Sequence, residues 1–298
     1  MVIILYGSTC FGIVAVMVDA ANATAPGAVV RRARMAMGTL VEIEASTSSP
    51  FLLDEAFAAL SEIEAAFSFF LPTSLLARLN RACVGDEIDL LPWQDELLRE
   101  VVAVERASGG CFNANLGAQL IELGLRPRLF ETDDVPRGTA GEALEWLDTG
   151  HIRIRRRVCL DLGGFAKGAG VDAALARLAQ AGVRHACVNA GGDLAVLGER
   201  SVALRAVGAW QRAGASLALC DEALASSVRY AMQGPFHGQA GLAVLGRDGR
   251  HLSLKAGGVA VRAPRCAIAD ALTKVVLVSG DLGHPLLTAN CAAAIELE

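Results

Sequence analysis

The sequence contains no pair of cysteines at the spacing of a metal site. Its eight cysteines are scattered, and none forms a CxxC pair. Most of them lie in apolar surroundings and are predicted to be small core residues. Removal of a leader that contains Cys10 would leave an odd number of cysteines, which argues against a scaffold built on disulfides.

The chain also has no excess of positive charge, no internal repeat and no low-complexity tract. Its net charge is −5, so we expect no nucleic-acid partner. The one basic cluster, at Arg153 and 155–157, alternates along a predicted strand and is interpreted as a solvated face. A hydrophobic fraction of 53% over 298 residues predicts one large packed domain or two intimate ones.

The first 25 residues differ from the rest of the chain. Residues 2–18 are almost wholly apolar and carry no charge, and small residues follow at 20–25. This pattern is similar to a secretory signal, although the usual positive start is missing. We therefore expect residues 1–25 to be a signal peptide or an N-terminal anchor, and the protein to be periplasmic or otherwise exported. A retained anchor would associate the protein with the inner membrane.

Residues 26–298 are predicted to form one unit of two intimate halves that meet near 126–150. Residues 37–45 alternate apolar and polar side chains, as in a half-buried strand, whereas 51–69 and 92–107 have helical periodicity. A helix is predicted at 167–181, and a last long helix begins at Asp270. Strand pairs with short turns between them favour a mixed, largely antiparallel α+β fold with flanking helices over a doubly wound sheet.

Two glycine-rich segments carry the strongest chemical signal. The first is LDLGGFAKG at 160–168, and the second is VNAGGD at 188–193. Backbone amides and a lysine presented together suit a phosphate, and a nearby carboxylate suits a sugar hydroxyl or a hard metal. The glycines of the first segment are adjacent, which excludes GxGxxG, and Lys167 precedes Gly168, which excludes the P-loop. We predict a ligand with a polyphosphate; the alternative is that the glycines only mark tight turns.

These segments belong to a series that resembles the ApbE family, the FAD:protein FMN transferases. The resemblance runs from about Met37 to Gly280 and is carried by seven motifs in family order. They are Met37-Gly38-Thr39, the segment FLPTSLLARLN at 70–80, Gly110-Cys111-Phe112-Asn113, DLGGFAKG at 161–168, NAGGD at 189–193, Ala225-Ser226-Ser227 and ADALTK at 269–274.

The resemblance implies a two-part, T-fold-like architecture and a specific reaction. The FMN phosphoryl group of FAD would pass to a Thr or Ser hydroxyl of an acceptor flavoprotein, with release of AMP and with Mg²⁺ on the diphosphate. Two alternatives stay open: an FAD-binding protein with little or no transferase activity, or an FAD pyrophosphatase that gives FMN and AMP. The resemblance also implies roles for individual residues. These are FAD binding by Met37, Phe70, Cys111, Phe112, Asn113, Asp161, Lys167 and Gly238; metal binding by Gly164, Asp270, Thr273 and Lys274; and catalysis by His237 and Asp270.

The chain departs from the family pattern at three places. Lys274 stands where the family has a metal-binding Thr, and Thr273 is about 100° away around a helix. HGQAG at 237–241 replaces H-x-x-DPRTG, and Asn113 replaces an Asp. Three roles also have plain alternatives: Asp161 as a helix N-cap, Asp270 as a first-turn acid, and His237 as an exposed loop residue.

Overall fold

The computed structural model describes residues 17–18, 28–131, 135, 137–204, 215–229 and 257–297. The strands are β1 (Met17–Val18), β2 (Val29–Ala36), β3 (Thr39–Ser46), β4 (Glu87–Asp89), β5 (Leu144–Asp148), β6 (His151–Ile154), β7 (Ala186–Ala190), β8 (Asp193–Leu197), β9 (Glu199–Leu204), β10 (Ala215–Cys220), β11 (Ala223–Arg229), β12 (Gly257–Ala263) and β13 (Ala293–Leu297). The helices are α1 (Phe51–Phe67), α2 (Leu75–Arg81), α3 (Pro92–Ala107), α4 (Gly117–Glu122), α5 (Ala140–Ala143), α6 (Ala166–Gln180), α7 (Cys266–Ser279) and α8 (Pro285–Ala289).

A seven-stranded sheet in the order β13-β12-β11-β8-β7-β3-β2 forms the centre of the fold. Each pair of neighbouring strands in it is antiparallel. The turns β2–β3 and β7–β8 use positive φ angles, at Met37-Gly38 and Gly191-Gly192. A Cβ atom on Gly191 would lie 2.4 Å from the Thr39 hydroxyl oxygen, so the two turns lie side by side at one end of the sheet.

Both faces of the central sheet are covered at its middle strands, β7 and β8. Apolar residues of α1 and α6 pack on one face with Val188, while Cys187 on the opposite side of β7 joins a separate cluster with Val202 and Leu219. That second cluster belongs to the small sheet β1-β9-β10. Strand β7 is therefore buried at every position. A third sheet, β4-β6-β5, packs with α3 and α5 around another part of the core.

Helices α6 and α7 cross at very close range. A Cβ atom on Gly168 would lie 2.4 Å from the carbonyl oxygen of Cys266. One helical turn further along α6, the Asp172 carboxylate accepts hydrogen bonds from the backbone amides of Cys266 (2.7 Å) and Ala267 (3.0 Å). Asp172 thus satisfies free amides at the N-terminus of α7, and it fixes the start of α7 against α6.

The predicted α+β fold with antiparallel sheets is confirmed, and most predicted elements lie where expected. The prediction for α7 was wrong by four residues: the helix starts at Cys266, so Asp270 lies beyond its first turn. Strand β6 ends at Ile154, so most of the basic cluster follows the strand. Residues 225–227 belong to strand β11. Within the part of the chain that the structure describes, no helix has the length and apolarity to cross a bilayer.

Candidate functional site

Four charged side chains meet where α6, α7 and strand β8 come together. The Lys167 ammonium lies 2.5 Å from Asp193 Oδ2 and 3.4 Å from Asp270 Oδ2. The Lys274 ammonium donates to the other carboxylate oxygen of Asp270. Lys167 and Asp270, predicted from the motifs to share a site, are therefore in direct contact.

The aspartate side chains of this cluster are more deeply buried than the lysine side chains. The Asp270 side chain is 0% exposed and that of Asp193 is 4% exposed, whereas Lys167 and Lys274 are 31% and 21% exposed. Burial pushes the pKa of Asp270 upward, but the two lysines outweigh it and the pKa is lowered. Burial raises the pKa of Asp193 despite its contact with Lys167. Burial lowers the pKa of Lys167, but its two carboxylate partners outweigh this and raise it, so the ammonium stays charged.

Thr273 is fully buried and does not face this cluster. Its hydroxyl group donates a hydrogen bond of 2.7 Å to the backbone carbonyl of Asp270, and its oxygen lies 2.7 Å from the hydroxyl oxygen of Ser227. The hydroxyl is therefore engaged between its own helix and strand β11. Residue 273 lies about 100° around the helix from residue 274, as the sequence predicted.

Two adjacent glycines join this cluster to a second group of side chains. A Cβ atom on Gly164 would lie 3.1 Å from Cε of Lys274, and one on Gly163 would lie 3.0 Å from Nη2 of Arg126. The lysine stem and the arginine head thus lie against neighbouring positions of one loop. The loop leads directly into α6, whose N-cap residue, Phe165, makes no side-chain capping bond. A helix N-terminus without a side-chain cap, flanked by lysines, favours an anionic ligand.

Asp161 lies at the far end of this loop. It accepts hydrogen bonds from Nε of Arg126 at 2.5 Å and from the Gly163 amide at 2.8 Å. Asp161 is therefore not the N-cap of α6, which excludes that alternative. Arg126 also lies 5.5 Å from the ring centroid of Phe70, a side chain that is 58% exposed. An exposed aromatic ring beside a guanidinium group suits a flat heteroaromatic ligand.

The other predicted FAD-binding residues have different surroundings. The backbone amide of Met37 donates to the Glu64 carboxylate, and the Met37 sulfur lies against Gly170 of α6. Cys111 and Phe112 are buried in the core. Asn113 holds its own loop: its side chain donates to the Gly138 carbonyl and accepts from the Asn115 amide. His237 and Gly238 lie outside the described residues.

Sequence reasoning missed two members of this site. Asp193 ends the NAGGD motif, and its contact with Lys167 spans 26 positions, so the motif indicated the residue but not its partner. Arg126 begins the stretch near which the two halves were predicted to meet. No local pattern distinguishes Arg126 from other loop arginines, because its partner, Asp161, is 35 residues away in the sequence.

The arrangement does not fit the Mg²⁺ ion that the resemblance implies. Mg²⁺ requires oxygen ligands, yet both oxygens of Asp270 face ammonium groups. The Thr273 hydroxyl is engaged elsewhere, and a charged lysine has no lone pair for a metal. The metal-ligand roles predicted for Thr273 and Lys274 therefore disagree with the structure. Among the described residues no group of three or more His, Cys, Asp or Glu could hold a metal ion.

Comparison with solved structures shows a shared fold. The flavin transferase ApbE from Vibrio cholerae superposes with a TM-score of 0.73 at 20% identity, covering 91% of this chain and 94% of that one. The Pseudomonas stutzeri flavinyl transferase ApbE in its apo form gives 0.74 at 21% identity, with 91% of each chain covered. The ApbE protein from Thermotoga maritima gives 0.75 at 20% identity, covering 90% and 94%. The predicted ApbE-like architecture is confirmed.

Comparison of sequences agrees with the fold. A FAD:protein FMN transferase from Rhodobacter capsulatus is 29% identical over 226 residues, which are 70% of this chain and 43% of the relative. The chain thus spans less than half the length of that curated relative. The model of the ApbE family matches residues 37–295. Because this match covers most of the chain, the protein belongs to the ApbE family.

Proposed function

We propose that this protein transfers the FMN moiety of FAD to a Thr or Ser hydroxyl of an acceptor flavoprotein and releases AMP. The observation that carries the proposal is the pair of lysine ammonium groups beside Gly163-Gly164 and the N-terminus of α6. These ammonium groups and the free amides of the helix N-terminus suit a diphosphate. The exposed ring of Phe70, which lies beside Arg126 at the Asp161 end of this loop, suits the flavin.

The reaction breaks one phosphorus–oxygen bond and forms another. The acceptor oxygen attacks the phosphorus of the FMN half, the bond to the bridging oxygen breaks, and AMP leaves with that oxygen. Lys167 would neutralise negative charge that develops on the leaving phosphate, since its ammonium group stays charged and its side chain is partly exposed. The acceptor hydroxyl loses its proton to a base. The resemblance assigns that role to His237, which stays a prediction.

A transfer assay tests the proposal directly. The protein is incubated with FAD and an acceptor domain, and covalent flavin on the acceptor is followed by in-gel fluorescence while AMP is followed by chromatography. A FAD:protein FMN transferase of established activity serves as the positive control. We expect labelled acceptor and AMP in equal amounts. FMN and AMP without labelled acceptor would indicate a pyrophosphatase, and bound FAD without AMP would indicate a binding protein; either result contradicts transfer.

A pair of variants on α6 ties the activity to the site. Lys167→Met removes the ammonium and is expected to reduce transfer by about 10²- to 10³-fold, the usual effect of deleting one charge-stabilising donor. Arg177→Met removes a cation from the exposed side of the same helix, where Arg177 pairs with Glu55, and should leave transfer unchanged. Equal effects of the two changes would separate the activity from this site.

Export stays a prediction from the first 25 residues and is part of the proposal. An exported transferase would act on acceptor domains on the outer side of the membrane. Fusing residues 1–25 to a reporter that is active only after export tests this. Activity equal to that of a leaderless fusion would contradict export.

A further inference from the structure

The groups around the Asp270 carboxylate leave little room for a metal ion. Its carboxylate is wholly buried, with Lys167 at 3.4 Å from one oxygen and Lys274 on the other. A divalent cation that used this carboxylate would have to displace at least one ammonium group. The displaced ammonium would then lie beside a second positive charge, which is unfavourable in a poorly solvated site.

Lys274 is held in its position by its stem as well as by its charge. A Cβ atom on Gly164 would lie 3.1, 3.4 and 3.5 Å from Cε, Cδ and Cγ of Lys274, so the stem runs along the glycine. A side chain at position 164 would push this stem away. The absence of a side chain at Gly164 therefore leaves room for the stem of Lys274, which lies along the loop that leads into α6.

The order of the charges, with the lysines nearer to solvent than the acids, suits an anion that approaches from the solvent. The two carboxylates are almost fully buried, and the exposed parts of the cluster belong to Lys167 and Lys274. An incoming diphosphate would therefore meet the two lysine side chains before the acids. An ammonium has three donors, and the contact between Lys274 and Asp270 needs one of them.

We propose that the Lys274 ammonium is the cation that faces the FAD diphosphate, so that this protein binds FAD without a divalent metal. The inference rests on the proposed function, because it assumes that FAD is the ligand. It extends that function by replacing a dissociable ion with a covalently attached charge. Asp270 then acts as the anchor of an ammonium pair, and Lys274 is a specificity-determining residue for metal-independent binding.

Titration of FAD into the full chain, followed by calorimetry, measures the effect of metal without any variant. We expect the same dissociation constant in excess EDTA and in excess MgCl₂. An affinity at least tenfold weaker in EDTA would overturn the inference while leaving the proposed function intact. Absence of FAD binding under both conditions would instead overturn the proposed function.

Substitutions at position 274 test the role of the lysine itself. Lys274→Met keeps the stem but removes the charge, and FAD affinity should fall about tenfold or more in both buffers, the cost of one charged hydrogen bond. Lys274→Arg keeps a cation and should retain most of the affinity. Lys274→Thr frees one carboxylate oxygen of Asp270 and offers a hydroxyl, so its FAD affinity should rise at least tenfold on addition of MgCl₂. Wild-type affinity in Lys274→Met would contradict the inference, and thermal unfolding of each variant verifies that it is folded.

Discussion

At the scale of single residues, the balance between buried acids and partly buried lysines determines what the site can bind. Burial disfavours the charged form of Asp193, and its pKa is raised even though the Lys167 ammonium lies 2.5 Å away. It also accepts a weaker hydrogen bond from the Ser226 amide at 3.3 Å. Asp193 therefore links the first turn of α6 to strand β11, and its charge is compensated chiefly by one ammonium group.

Asp193→Asn is expected to lower the free energy of unfolding by about 3 kcal/mol. The change leaves the Lys167 ammonium with only the more distant Asp270 as its anionic partner, and an incompletely paired buried charge is costly. Urea unfolding followed by circular dichroism measures the change. Asp89→Asn is the matched control, because Asp89 is 93% exposed and its contact with His151 is long, at 4.0 Å. Equal stability of the two variants would contradict the structural role of the cluster.

At the scale of elements, the crossing of α6 and α7 places the two halves of the charged cluster. Gly168 allows the helices to approach until its Cα touches the backbone of Cys266, and Asp172 caps α7 from the side. Lys167 lies beside the crossing on α6, and Asp270 lies one helical turn inside α7. The distance between their charges depends on this crossing.

Gly168→Ala is expected to lower the free energy of unfolding by about 2 kcal/mol or more, since its new methyl group would meet the backbone of α7 at 2.4 Å. Helix propensity alone predicts that the free energy of unfolding rises by about 1 kcal/mol. The sign of the measured change therefore shows whether the clash with α7 or the helix propensity dominates. Gly170→Ala is the matched control on the same helix. Its methyl group meets the Met37 sulfur at 2.6 Å, and that flexible side chain can move, so a loss of no more than about 1 kcal/mol is expected. Thermal unfolding of both variants provides the measurement.

The sequence predicted the elements better than their contacts. Periodicity located α3 at Pro92–Ala107 without error, because one face of that helix is apolar and the other polar. The start of α7 was misplaced, since its N-terminal amides are capped by Asp172, 94 residues away from Cys266. The Asp161–Arg126 pair was missed for the same reason. Contacts between distant segments leave no local periodic signal.

At the scale of the whole molecule, packing in the core determines which cysteine thiols can react. Burial raises the pKa of Cys159 and of Cys187 to about 12. Cys83, Cys220 and Cys291 are exposed. The expectation that most cysteines are core residues is correct for the described part of the chain, where Cys111, Cys159, Cys187 and Cys266 are buried.

Alkylation of the native protein at pH 8 should label Cys83, Cys220 and Cys291 well before Cys159 and Cys187. The thiolate is the reactive form, and almost none is present at a pKa of about 12. Peptide mass spectrometry after timed exposure to iodoacetamide measures the order, and the same reaction in urea provides the control in which all thiols react. Early labelling of Cys187 in the native protein would contradict a sheet covered on both faces.

The position of the FAD diphosphate in a crystal structure of the complex tests the central claim most directly. We expect the phosphates to lie against Gly163-Gly164, within hydrogen-bond distance of Lys167 and Lys274, and the flavin to lie towards Phe70. FAD bound with its diphosphate away from both lysines, as in the groove of about 680 Å³ between α1, α3 and α6, would contradict it.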